Sequence, residues 1–204
     1  MKLIGISGIS GSGKTYLAEY MQQKIGSNNL SIVSFDDYYK PYETQTKDKL
    51  GKVNFDLPTA VDFSQMMGDL HSLKLGETII KKRYTFNNLS AKPSIITINP
   101  NPIILIEGIF VFHFKELLEQ LSYKVFVESD LNTTLQRRIQ RDTKERGISL
   151  EQVMYQWKNH VLPAYHDFLL PHKPHVDLVV QNKSPEFDNG LKKLTQIILS
   201  LKTI

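Results

Sequence analysis

Eight residues, Gly8-Ile9-Ser10-Gly11-Ser12-Gly13-Lys14-Thr15, constrain this chain more than any other feature. They fit the spacing G-x-x-x-x-G-K-[ST], a loop that wraps a phosphate chain. Glycines let such a backbone curl until its N–H groups converge on phosphate oxygens. A helix that starts there adds a positive partial charge. The device works only between a strand and a helix, and both flanks comply. Residues 3–7 are an apolar run that reads as a buried strand. Leu17, Ala18, Met21 and Ile25 recur at helical spacing over 14–25, and Gly26 can end the helix. In this frame Gly8, Ser10, Gly11, Ser12 and Gly13 are expected around the phosphates. Lys14 is expected to reach the β and γ phosphates, and Thr15 to offer its hydroxyl to Mg²⁺. The loop specifies a nucleoside triphosphate, ATP or GTP, but not its use.

The rest of the chain keeps the same alternation. Residues 30–35, Ile103–Ile106, Tyr123–Glu128 and Val176–Gln181 read as buried strands. Thr59–Leu73, His113–Leu121, Leu131–Glu145, Leu150–His166 and Phe187–Leu201 carry helical spacing. Residues 36–58, rich in polar residues, prolines and tyrosines, read as a loop. Residues 77–98 hold β-branched runs around the turn-like Asn87-Asn88, which predicts an antiparallel hairpin. The pattern predicts an α/β fold, a five-stranded parallel sheet flanked by helices. A small β-hairpin excursion at 77–98 and a helical lid at 131–149 would complete it. Such sheets bind ligands beyond the carboxyl ends of their strands.

Composition bounds the function. With 204 residues, 41% hydrophobic and 23% charged, the chain suits one globular domain over 1–204. A formal net charge of +4 suits a small anionic ligand and argues only weakly for nucleic acid. The absence of cysteine excludes disulfides and thiolate zinc sites. No apolar run approaches the roughly 20 residues of a membrane span. Met1–Gly5 reaches glycine too soon for a signal peptide. The expected setting is cytoplasmic, with neither membrane nor nucleic acid as partner. His172 and His175 bracket Lys173-Pro174, and the proline argues against a helical metal pair.

Charged residues gather where the predicted strands end. Asp36 and Asp37 follow the second strand. Phosphoryl transfer to an alcohol needs a carboxylate within reach of the attacking hydroxyl. A pair of turn-capping aspartates explains the same spacing equally well. Glu107 ends the third strand, where an acidic residue can hold nucleotide-bound Mg²⁺; a solvated strand end is the alternative. Arg137, Arg138 and Arg141 can share one broad helical face, with Arg146 just beyond. That face could close over phosphates, neutralise transition-state charge and exclude water. The alternative is a solvated helix with an Arg141–Glu145 pair. Tyr38, Tyr39, Tyr84 and Phe86 lie where aromatic faces could stack on a planar base, while Trp157, Tyr165 and Phe168 read as core. The sum predicts a kinase that moves a γ-phosphate onto the hydroxyl of a small metabolite.

Taken in order, the motifs resemble the uridine–cytidine kinases, within the larger group that includes phosphoribulokinase and nicotinamide riboside kinase. Ser34-Phe35-Asp36-Asp37-Tyr38-Tyr39-Lys40 is similar to that family's base-bearing loop, and Asn54-Phe55-Asp56-Leu57-Pro58 to its Asn-Phe-Asp-x-Pro segment. Ile106-Glu107-Gly108-Ile109 matches the strand-end glutamate. Arg137-Arg138-Ile139-Gln140-Arg141-Asp142, with Glu145-Arg146-Gly147, matches the lid, and Leu162-Pro163-Ala164 and Leu170-Pro171 follow. The resemblance implies that Asp36 accepts the proton of a ribose 5′-hydroxyl. It implies that Asp56 and Arg138 hold the 2′ and 3′ hydroxyls, and that Tyr39, Phe55, Tyr84, Phe86 and Gln156 line the nucleoside pocket. Arg141 and Arg146 would contact phosphates, Arg141 joining Lys14 as a catalytic cation, and Thr15 and Glu107 would hold Mg²⁺. Relatives commonly form tetramers, which implies a homo-oligomer.

Two positions depart from the family. Its base-facing histidine, three residues after the hairpin's Tyr-x-Phe, falls on Leu89; its base-facing arginine, two residues after the last lid arginine, falls on Ile148. A pocket that reads a base by hydrogen bonds rejects analogues by roughly 10⁴–10⁵, far more than an apolar wall can. The ribose end therefore reads as intact and the base end as altered. A pyrimidine nucleoside, uridine or cytidine, is the expected acceptor. Another nucleoside, nicotinamide riboside or a sugar phosphate is the alternative, and a non-catalytic nucleotide-binding protein is a third reading.

Overall fold

The computed structural model describes residues 1–85, 92 and 94–202. Among them the strands are β1 (Lys2–Ser7), β2 (Leu30–Ser34), β3 (Ile79–Lys82), β4 (Ile95–Ile98), β5 (Ile103–Glu107), β6 (Tyr123–Glu128) and β7 (Leu178–Gln181). The helices are α1 (Lys14–Ile25), α2 (Phe63–Lys74), α3 (Lys115–Leu118), α4 (Leu131–Glu145), α5 (Leu150–Gln156), α6 (Leu162–Ala164) and α7 (Glu186–Lys202). Five strands form one parallel sheet in the order β2-β5-β1-β6-β7. Strands β3 and β4 form a separate antiparallel pair. None of the described helices is long and apolar enough to cross a membrane.

The sheet is apolar on both faces because both are covered. Alternation along the strands splits the core. Leu3, Val33, Ile104, Ile106 and Phe126 pack with Met66, Leu70 and Leu73 of α2 and with Phe110, Val111 and Phe112. Ile4, Ile6, Leu105, Val125 and Val127 pack with Leu17, Ala18 and Met21 of α1 and Leu191, Leu194 and Ile198 of α7. Full burial of one such side chain is worth about 1.5–3 kcal/mol. Parallel register then aligns the functional ends. Ile6 of β1 and Ser34 of β2 both stand opposite Glu107 of β5.

The helical spans depart from the expectation where caps and prolines intervene. Helix α2 starts at Phe63, not Thr59, because Pro58–Ala60 is a single 3₁₀ turn and Val61 bridges Tyr39 in extended geometry. Asp62 then caps the helix, its carboxylate accepting from Gln65 N–H at 3.0 Å. The expected helix over His113–Leu121 shrinks to α3. The apolar run Phe110-Val111-Phe112 before it fills the core from a turn, and Phe114 is extended. The span Leu150–His166 begins as α5 but widens into π turns at Trp157–Val161 and Tyr165–Leu169. Leu162 N–H reaches back five residues to Trp157 O, and the Pro163 that follows has no N–H to donate. The loop over 36–58 contains two 3₁₀ turns and a bridge between Lys47 and Val53. The Asn87-Asn88 turn and Leu89 lie outside the described residues.

Candidate active site

The phosphate loop is held by steric fit. Gly13, immediately before α1, is left-handed at φ 97° and ψ 20°. A Cβ there would lie 2.3 Å from Asn182 Nδ2, which donates to Ser12 O at 2.5 Å. Asn182 follows β7, so the far edge of the sheet supports the loop. A Cβ on Gly11, at φ 85°, would lie 2.7 Å from Thr134 O in α4. Loop and arginine helix therefore meet with no room for a side chain, and this backbone cradle fits a phosphate chain. Lys14 folds across it, Nζ donating to Ile9 O at 3.1 Å. Burial lowers the Lys14 pKa, while Glu107 and Asp36 pull it back up.

Glu107 is 3% exposed. Its Oε1 accepts from Ser34 Oγ at 2.6 Å and from Thr15 Oγ1 at 3.4 Å. Burial first, and then the nearby Asp36, push its pKa above the usual carboxylate range, against the pull of Lys14. A hydroxyl and a carboxylate meeting at the end of the phosphate loop are oxygen donors of the kind Mg²⁺ takes. Thr15 and Glu107 thus fit that ion. Asp36 sits in the 3₁₀ turn Phe35–Tyr38, its N–H donating to Ser34 Oγ at 3.3 Å. One serine hydroxyl therefore links Asp36 to Glu107.

Across from them lies the arginine helix. Its geometry depends on Asp142, whose side chain is fully buried. Asp142 Oδ1 accepts from Arg141 Nε at 2.8 Å and lies 3.2 Å from Arg146 NH1, while Oδ2 lies 3.2 Å from Arg138 Nε. Arg141 NH2 also reaches Ser10 Oγ at 3.4 Å, tying helix to phosphate loop. Arg138 turns the other way, donating to Gln156 Oε1 at 3.1 Å and standing 3.9 Å from Asp56 Oδ1. Burial raises the Asp56 pKa, and the Arg138 guanidinium opposes that shift. Burial, and then Arg141, lower the Arg146 pKa.

These groups line one cavity of about 690 Å³. Ser10, Gly11, Gly13, Lys14 and Thr15 form one wall, and Asp36 and Glu107 the next. Tyr39, Phe55, Asp56, Arg138, Arg141, Arg146, Ile148 and Gln156 close it. Gly8 and Ser12 support the loop from outside that lining: a Cβ on Gly8 would meet Val127 O at 2.3 Å, and Ser12 is buried. Tyr84 borders a smaller cavity of about 380 Å³ that shares Thr15, Asp36 and Glu107, and its ring packs 5.5 Å from Tyr39. Tyr38 corrects the expectation of a stacking face. It is buried, its hydroxyl donates to Asp69 Oδ2 at 2.8 Å, and Lys81 Nζ sits 3.0 Å from its ring centre. Phe86 lies outside the described residues.

Sequence reasoning missed Asp142, Asn182 and Arg83. Asp142 stood inside a quoted motif, and its i±4 spacing from Arg138 and Arg146 was a usable signal. Asn182 had none, because its partner lies 170 residues away. Arg83 borders both cavities from the end of the hairpin.

The phosphoribulokinase/uridine kinase family profile matches residues 3–187. The chain belongs to that family. Uridine-cytidine kinase B of Dictyostelium discoideum is 35% identical over 178 residues, which covers 87% of this chain and 73% of that protein. Uridine kinase of Escherichia coli (strain K12) is 32% identical over 182 residues, covering 87% and 85%. The solved structure of D-glycerate 3-kinase from Cryptococcus neoformans var. grubii superposes with a TM-score of 0.56 at 17% identity, over 82% of this chain and 78% of that one. That likeness is one of fold. As a phosphoribulokinase/uridine kinase family member, this protein is a P-loop kinase that uses a nucleoside triphosphate and Mg²⁺.

Proposed function

We propose that this kinase phosphorylates the 5′-hydroxyl of a pyrimidine nucleoside, uridine or cytidine, using ATP. One observation carries the reading: Asp36, Asp56, Arg138 and Gln156 share a single cavity with Lys14 and Thr15. A proton acceptor, a hydroxyl-binding pair and a phosphate cradle thus face one space. The names of the Dictyostelium and Escherichia coli relatives, uridine-cytidine kinase and uridine kinase, support this acceptor class.

Catalysis then rests on position and charge. Asp56 and Arg138 hold the ribose diol, while Tyr39 and Phe55 flank the base. Asp36 accepts the proton of the 5′-hydroxyl as its oxygen attacks the γ-phosphorus in line with the departing ADP. Lys14, Arg141 and Arg146 balance charge on the transferring oxygens. Thr15 and Glu107 would hold Mg²⁺, which supplies further charge neutralisation when bound. Helix α4 and its continuation to Ser149 act as a lid over 131–149, within one kinase domain spanning 1–204.

ADP release from Mg–ATP with uridine, cytidine, purine nucleosides, nicotinamide riboside, ribulose 5-phosphate or no acceptor tests the reading. Turnover of roughly 1–100 per second with uridine or cytidine is expected. Asp36→Asn should keep Mg–ATP affinity and lose about 10²–10⁴-fold in kcat. Ordinary turnover by that variant would remove Asp36 as the base. A second reading, a different acceptor in the same site, is favoured by the apolar Ile148 on the cavity wall. It predicts that another member of the panel outperforms both pyrimidines.

A further inference from the structure

Residues 41–52 have few ties to the protein, although they lead directly into Phe55 and Asp56. Between Pro41 and Lys52 only Gln45 is buried, and Asp48 is half-buried. Gln45 anchors the base of the loop, its Nε2 donating to Lys40 O at 2.8 Å and Ala60 O at 3.1 Å. Among the described residues, the side-chain hydrogen bonds from the tip to the rest of the protein all run through Asp48. Its Oδ1 accepts from Leu50 N–H at 2.9 Å and Lys52 N–H at 3.0 Å, which closes the turn. Backbone bonds Asp48 N–H to Lys52 O and Asn54 N–H to Thr46 O, each 2.8 Å, stiffen it. Its Oδ2 accepts from the Tyr155 hydroxyl at 2.6 Å and stands 2.8 Å from His160 Nε2. Lys52 Nζ lies 3.8 Å from the centre of the Tyr155 ring. His160 has a side chain only 1% exposed, and its Nδ1 has no hydrogen-bond partner among the described residues. Among the described residues, the one polar partner of its ring is therefore Asp48.

We propose that Asp48, Tyr155 and His160 form a clamp that sets the acceptor pocket, with Asp48 as a positioning residue. Tyr155 is the neighbour of Gln156, which holds Arg138, and the Asp48 turn leads through Val53 to Phe55 and Asp56. The clamp thus joins the loop that carries Asp56 to the helix whose Gln156 accepts from Arg138, and Arg138 stands 3.9 Å from Asp56. A carboxylate taking two side-chain donors makes stronger, more directional bonds than neutral groups can. No part of the clamp lines the phosphate wall, so its effect falls on the acceptor and not on the triphosphate. The role rests on the acceptor-site reading above.

The test combines steady-state kinetics on uridine and Mg–ATP with hydrogen exchange. Asp48→Ala should cost about 10²-fold in kcat/KM for uridine, as small displacements of a bound reactant do. The KM for Mg–ATP should stay within about twofold, since uniform binding of the triphosphate is untouched. Tyr155→Phe, which keeps the ring and the His160 contact, should give a smaller loss of the same kind. Amide exchange over residues 45–57 should quicken in both variants. Equal losses for both substrates, or a lowered melting temperature with uridine kinetics unchanged, would make Asp48 a stability residue and overturn the proposal. Wild-type enzyme silent with uridine would sink the acceptor reading. In that case unchanged exchange over 45–57 still overturns the clamp, and quickened exchange upholds it.

Discussion

Three guanidinium groups beside a phosphate loop repel one another, and one residue makes the arrangement tolerable. Asp142 is fully buried and lies 2.8–3.2 Å from nitrogens of Arg138, Arg141 and Arg146. In the proposed reaction it would orient each group before substrate arrives, leaving little reorganisation for the transition state. Asp142→Asn keeps the shape and removes the charge. It should lower kcat by about 10²–10³-fold, the scale of losing one pre-oriented donor. Asp142→Ala removes the buried carboxylate that these three arginines share and should destabilise by about 3–5 kcal/mol in urea unfolding. A variant with wild-type kcat would show that the arginines orient without it. The arginines were legible from the motif, but the part Asp142 plays and the direction of each side chain were not. Arg138 and Arg141 stand three apart on one helix, yet one turns to Gln156 and the other to Ser10.

Elements meet through a few polar ties, and these carry pH dependence. The Tyr155 hydroxyl above all, with His160 and the Lys52 and Leu50 N–H groups, holds Asp48 well below the usual aspartate range. A carboxyl held low in the folded state contributes stability that is present above its ordinary value of 3.8 and is lost as pH falls through the lower folded value. The urea midpoint of the wild type should therefore drop further than that of Asp48→Asn between about pH 5 and about pH 2. Parallel slopes for the two proteins would contradict the linkage. The helical spans were legible from apolar spacing, and their ends less so. Asp62 capping α2 and the π turn before Pro163 arise from hydrogen bonds, which hydrophobic periodicity does not register.

The whole molecule gathers its site from the ends of three adjacent parallel strands, β2, β5 and β1. Binding at that junction should stabilise the fold by mass action. Mg–ATP at 100 times its Kd should add about 2.7 kcal/mol, which for a chain of this size raises Tm by roughly 5–10 °C. Lys14→Ala should lose most of that shift in a thermal scan, and an equal shift in both proteins would remove Lys14 from the phosphate site.

Local pattern was enough to specify the strand–loop–helix around residues 8–15, the alternation that makes a parallel sheet, and the order of the motifs, because glycine spacing and apolar period are local properties. Packing in three dimensions is what makes Ser34 join Asp36 to Glu107, puts Tyr38 in the core, gathers Arg138, Arg141 and Arg146 around Asp142 and brings Asp48 to His160. Several of those contacts join residues far apart in the chain: 73 residues between Ser34 and Glu107, 112 between Asp48 and His160. The others turn on which way a side chain points. Neither property is written in local spacing; both follow from how packed helices and strand register bring distant side chains to one place.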